Sequence, residues 1–250
     1  MKIGRIFSFV CLLAVIALQY GQLSSQQSPR GGADSSPGQA QQLQAAINVP
    51  NFGFTNIVAD AFFLSFLQYF GNDEERELTG YGLSPLFFEN VLQRDPFFVD
   101  IYDYLFTSVS LYAGQPETTV SILNTALESM APNAPERSYL VWRNKALDEL
   151  LLLNDTEAAI SSLETAADWA DQATASDTLA PRVAEASRQL VGTLQTNPDS
   201  RIARALAWSG VIARAVDDQA RQLAIEKVEG FGGRVTIRED GAVEVFLPAE

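Results

Sequence analysis

Two stretches of this chain repeat each other at a spacing of 40 residues: QPETTVSILNTALESM at 115–130 and DTEAAISSLETAADWA at 155–170. Glu117/Glu157, Ser121/Ser161, Leu123/Leu163, Thr125/Thr165 and Ala126/Ala166 are identical, and Val120/Ile160 and Glu128/Asp168 match in character. Each copy follows a helix-breaking residue, Gly114 in one case and Asn154 in the other. A period of this size with helical patterning predicts stacked helical hairpins, because one hairpin buries its apolar face only by packing on the next. Arrays of this kind usually bind other proteins.

The remaining breaks divide the chain in the same way. Phe54 to Phe70 (FTNIVADAFFLSFLQYF) is apolar nearly all round and is expected to be a buried helix, since Asp60 near its middle would be costly in a bilayer. The acidic run Asp73 to Glu77 is expected to be a solvated loop. Ser84-Pro85 reads as an N-cap followed by proline at the first helical position, which needs no N–H partner. Further helices are expected over Pro96–Gly114, Pro116–Met130, Ser138–Leu153, Thr156–Ala173, Pro181–Leu194 and Pro198–Asp217, the last capped by Asn197, with a final helix to Glu229. The pattern then changes: RVTIR and AVEVFL alternate apolar and polar around Asp240-Gly241, a hairpin signal. A lone hairpin is marginal, so Val235, Ile237, Val243, Val245 and Leu247 are expected to pack on the last helix. The fold class is therefore mostly α: a stack of antiparallel helix pairs over 45–230, closed by a small β-hairpin over 231–250.

Before this body lie two segments of different character. Lys2 and Arg5 precede an apolar run from Ile6 to Tyr20, the layout of a signal peptide or signal anchor over 1–21. The positive flank places the body on the extracytoplasmic side. No clean small-x-small cleavage site follows, Leu23-Ser24-Ser25 being the nearest, which favours an uncleaved anchor over a secreted product. Residues 22–44 are rich in Gln, Ser, Gly and Pro, a composition that cannot offset chain entropy by burial, and are expected to form a flexible tether.

Composition narrows the chemistry. There is no histidine, which removes the commonest general base and metal ligand. The single cysteine, Cys11, lies in the leader, so neither a disulfide within the body nor a Cys/His zinc site can form. No cofactor or metal is expected. The net charge of −14 repels nucleic acid and anionic lipid. No phosphate-binding loop, dinucleotide fingerprint or nucleophile elbow occurs. Carboxylate pairs at Asp100/Asp103, Asp148/Glu149 and Asp217/Asp218 are read as solvated helix faces, the GFGG run as turn residues, and the sequon at Asn154 as an interhelical turn.

The repeats resemble the tetratricopeptide (TPR) family. Its small–large–small pattern in the second helix of each pair is met by Thr119, Leu123 and Ala126, with Pro132 one place late, and by Ala159, Leu163 and Ala166 without the proline; Phe88, Val91 and Pro96 give a weaker first copy. The chain departs from that family in its period, 40 residues against about 34, and in the first-helix signature, of which Tyr102 and Trp142 share one register. The resemblance covers Phe54 to Ala173, and the anchored, acidic layout is also similar to short membrane-tethered TPR-like proteins of cyanobacteria. It implies a concave groove lined by the first helix of each pair, carried over here as Ile101, Tyr104, Ser108 and Leu111 in one copy and Val141, Asn144, Asp148 and Leu151 in the next. Tyr104, Ser108, Asn144 and Asp148 are the candidate contacts to a protein or peptide partner.

The function expected is thus a membrane-tethered, non-catalytic protein-binding scaffold that aids assembly of a membrane complex. The alternatives are a structural subunit of such a complex, with Phe54–Phe70 as its interface, and a carboxylate-only glycan-active enzyme with two facing carboxyls.

Overall fold

The computed structural model describes residues 35–50, 53–238 and 243–247. The expected leader, most of the expected tether and the Asp240-Gly241 turn lie outside the described residues. Among those described, eleven α-helices and one two-stranded sheet form, so the chain is mostly helical with a small C-terminal hairpin.

The two similar segments are entered through similar backbone turns. Ala113 N–H donates to the Ser108 carbonyl at 3.1 Å and Gln115 N–H to Val109 at 3.0 Å; 40 positions on, Leu153 donates to Asp148 at 3.0 Å and Asp155 to Glu149 at 2.7 Å. These bonds reach back five and six residues, wider than the four of an α-helix. The residue they enclose has positive φ in both copies, 67° at Gly114 and 56° at Asn154. Glycine takes that conformation freely and asparagine more readily than most residues. The following helices then start in register, α6 (Pro116–Leu127) and α8 (Thr156–Ala170). Pro116 has no N–H to lose at a helix start, and Asp155 caps α8 by accepting from Ala158 N–H at 3.0 Å. Thr119/Ala159, Leu123/Leu163 and Ala126/Ala166 are buried as matched pairs.

The segment before Gly114 is not one helix. It runs as a 3-10 turn (Val99–Ile101), a single α-turn, α5 (Tyr102–Leu105), and a π-helix (Phe106–Tyr112). Its counterpart, α7 (Tyr139–Leu151), is α-helical throughout and widens only at its last bonds.

Earlier in the chain, α1 (Ser35–Ile47) begins inside the segment expected as tether. Its C-terminal carbonyls are held by α4 (Ser84–Leu92): Asn90 Nδ2 donates to Leu43 at 2.9 Å and Arg94 Nη2 to Ala46 at 2.6 Å. The expected cap at Ser84 is absent; Ser84 is the first helical residue and its buried hydroxyl has no partner among the described residues. The acidic run 73–77 lies in a short helix, α3 (Asp73–Thr79), because Asp73, Glu74 and Glu75 complement the positive end of the helix dipole. In α2 (Thr55–Phe70), Ala59, Phe66, Tyr69 and Phe70 are buried but Ile57 and Leu64 are exposed, so the helix is not enclosed on all sides.

The first core is aromatic. Phe66 of α2 packs on Phe87 and Phe88 of α4, at ring separations of 6.0 and 4.7 Å, and meets Tyr104 edge-on at 5.9 Å. The second core joins α7 and α8 to α9 (Ala180–Thr196), α10 (Arg201–Arg214) and α11 (Asp218–Gly230). Ser200 caps α10 through Ala203 N–H, in place of the expected Asn197, and Asp217 caps α11 through Ala220 N–H.

The hairpin pairs β1 (Arg234–Ile237) antiparallel to β2 (Val243–Phe246), with Val235 opposite Val245 and Ile237 opposite Val243. Val235, Val243, Val245 and Leu247 join the second core as expected, whereas Ile237 is 46% exposed. Gly233 permits this closure, since a Cβ there would stand 2.8 Å from Val228 Cγ1 and 2.9 Å from Leu247 Cδ2.

Of the two matched alanines, Ala166 is fully enclosed while Ala126 borders an open cleft. Ala166→Leu is therefore expected to cost about 1–3 kcal/mol by overpacking. Ala126→Leu should cost less, because the added atoms can grow into the cleft. Urea unfolding of the two variants checks the order.

Candidate functional site

The positions expected to line an open groove are mostly interior. Ser108 and Asp148 are fully buried and Asn144 nearly so, which corrects their reading as solvent-facing contacts. Ile101 and Val141 are likewise buried. Tyr104 is half-buried and wedged among aromatic rings, edge-on to Phe63 at 5.6 Å and to Phe70 at 6.1 Å. The carboxylate of Asp103 beside it marks the edge of this core.

The structure does join these residues across the two repeats. Ser108 Oγ donates to the Tyr104 carbonyl at 2.7 Å, and Asn144 Nδ2 donates to Asp103 Oδ1 at 2.9 Å. Asp103 also faces Arg214 Nη1 at 3.7 Å. Nearby, Ser110 Oγ donates to Thr119 Oγ1 at 2.7 Å. The hydroxyl of Tyr112 reaches Asp217 Oδ1 at 2.7 Å, tying the π-helix to the cap of α11.

Two buried acids carry opposite electrostatics. Neither oxygen of Asp148 accepts a well-formed hydrogen bond among the described residues, the nearby Ser110 hydroxyl donating to Thr119 instead. Burial pushes its carboxyl well above the usual range; the Ser110 hydroxyl offsets part of that rise and neighbouring Glu149 adds to it. Glu149 itself is paired, with Lys145 Nζ at 3.1 Å and the Ser162 hydroxyl at 2.6 Å. For Asp177, burial also works upward, but bonds from Tyr139 and the Leu179 N–H, together with Arg137, outweigh it and hold the carboxyl below its ordinary value.

Two of the clefts among the described residues are each lined by several helices. One, of about 440 Å³, lies between α1, α4 and α6 and is lined by Ile47, Leu92, Ile122 and Ala126 with Glu89 at its rim. The other, of about 710 Å³, lies between α7, α9 and α10 and includes Arg143, Arg182 and Arg214. A third feature is convex. Phe54, Ile57 and Leu64 are each 60% exposed or more; spaced three and seven residues apart, with Ala61 between, they form one stripe along α2.

Sequence reasoning missed the arginine-lined cleft and the α2 stripe. The cleft draws on three helices distant in sequence, and no local pattern marks it. The stripe was readable in principle: a helix apolar on every side at the edge of a stack must leave one side uncovered. Among the described residues, no group of His, Cys, Asp and Glu is arranged to hold a metal ion, and no helix is long and apolar enough to cross a membrane. Compared with protein-family models, curated proteins and solved structures, the chain matches none.

Asp148 yields a test with a defined sign. Its folded-state pKa is raised, so its contribution is present in full below the unfolded value near 4 and is lost as pH rises from there through the folded value. Asp148→Asn cannot ionise. Its stability relative to the parent should be flat below pH 4 and then rise by about 1.4 kcal/mol per pH unit across that window, as read by thermal unfolding from pH 3 to pH 8.

Proposed function

We propose that the chain is a tethered helical-repeat scaffold, its helix pairs stacked in a TPR-like manner, that acts by binding a protein partner and not by catalysis. On this reading the leader anchors the body on the extracytoplasmic side of a membrane, where it aids assembly of a membrane complex.

The observation that carries this reading is the outward stripe of α2. Phe54, Ile57 and Leu64 lie on the side opposite the buried Phe66 and Phe70. Contiguous exposed apolar surface marks an interaction site. Exposed Asp60 stands beside the stripe, and an ionised carboxylate disfavours lipid contact, which points to protein as the occupant. The absence of histidine anywhere in the sequence fits a role without acid–base chemistry. The same stripe also favours a second reading, a permanent structural subunit, and the lifetime of the complex separates the two.

Ile57→Glu and Leu64→Glu place charge on the stripe without touching the core. Each is expected to shift stability by no more than about 0.5 kcal/mol while abolishing co-purification of partners after mild detergent extraction. Parent-like co-purification by both variants would contradict the assignment.

A further inference from the structure

The arginine cleft stands apart in an acidic chain. The protein has 17 basic and 31 acidic residues, yet Arg143 of α7, Arg182 of α9 and Arg214 of α10 converge on one cleft that holds a single carboxylate, Glu185. That carboxylate is itself engaged by Gln189 Nε2 at 2.7 Å. Two arginines outside the cleft on the same helices are matched: Arg188 pairs with Asp171, and Arg204 donates to the Leu150 carbonyl at 2.6 Å and to Asn154 Oδ1 at 2.7 Å.

In the cleft the pairing is incomplete. Arg143, with five N–H donors, has one polar partner among the described residues, the Ser187 hydroxyl at 2.9 Å. Burial and the like charge of Arg214 push its guanidinium down to about 10. Arg214 forms an ion pair with Asp103 at 3.7 Å, longer than a hydrogen bond, and Arg182 is exposed with no side-chain partner among the described residues. Like-charged guanidiniums on one cleft repel each other, and an anion bound between them relieves that repulsion.

The walls argue for the size and kind of ligand. Leu140, Leu179 and Val183 line the cleft beside the arginines. A volume of about 710 Å³ is in the range of a site for an extended ligand and far larger than a bare anion needs.

We propose that this cleft binds an acidic peptide segment of a partner protein, its carboxylates taken by Arg143, Arg182 and Arg214 and its apolar side chains by Leu140, Leu179 and Val183. The identity of the occupant as peptide rests on the scaffold reading; the site itself is separate from the α2 stripe.

The test is fluorescence anisotropy on the full-length chain in mild detergent. One probe is a fluorescein-labelled decapeptide of alternating glutamate and leucine, the other its glutamine-for-glutamate counterpart. Expected is binding of the glutamate peptide at least tenfold tighter than the glutamine peptide, weakening with salt. Arg143→Gln and Arg182→Gln should each weaken it about tenfold; Arg182 is exposed with no side-chain partner among the described residues, so its loss should leave the melting temperature unchanged. Arg188→Gln, paired outside the cleft, should have no effect. Equal affinity for the two peptides, or parent-like binding by Arg182→Gln, overturns the proposal. Binding of citrate at least as tight as that of the glutamate peptide overturns the peptide assignment in favour of a small anion. Leu64→Glu should bind the peptide normally, so failure of the cleft and failure of the stripe are read independently.

Discussion

Everything downstream of residue 98 depends on two backbone reversals held by hydrogen bonds one and two residues wider than an α-helix makes. At Gly114 and at Asn154 the chain leaves one helix, passes through a left-handed residue and enters the next within two positions. The wide bonds to Val109 and Glu149 satisfy carbonyls that a helix end would otherwise leave open. They also fix the angle at which α6 and α8 return, which is why Leu123 and Leu163 arrive at equivalent buried positions. Asn154 adds a side-chain role, accepting from Arg204 and so linking the second reversal to α10. The two similar segments thus share a way of reversing the helix as well as an apolar pattern.

Around these reversals the structure divides its work between rings and buried polar groups. The aromatic core of α2, α4 and the π-helix is large and contains few polar atoms. The interface between the repeats is different: Ser110 with Thr119, Glu149 with Lys145 and Ser162, and an unpartnered Asp148 all lie close together in the sequence register of the first helices. Buried polar groups of this kind cost stability unless satisfied. Burial raises the Asp148 carboxyl well above its usual range, which disfavours the buried charge. Tyr112, reaching Asp217, carries the connection from this interface to the C-terminal helices.

Much of the architecture was legible in the sequence, and the failures have physical causes. Prolines at 85, 116 and 181 and the Asp-Gly between alternating runs marked the starts of α4, α6 and α9 and the two strands, because each acts locally on the backbone. The π-helix was not legible, since over seven residues a wider turn leaves no distinct periodicity. The site suffered most. Ser108, Asn144 and Asp148 are polar and were read as exposed, yet each lies where the two first helices and their partners meet. A carboxyl buried without a partner is the exception to the rule that places charge at the surface, and no pattern of neighbours announces it. Arg143, Arg182 and Arg214 come together only through tertiary packing, so their convergence has no signature along the chain.

The central claim is that both reversals are closed by the same wide hydrogen bonds. Hydrogen exchange resolved at single amides by NMR addresses it directly. The Gln115 and Asp155 N–H groups, bonded to Val109 and Glu149 at 3.0 and 2.7 Å, should both be protected, with exchange rates slowed to within about tenfold of each other and opening together with the helices they close. Free exchange at either amide while α6 and α8 remain protected would contradict the account.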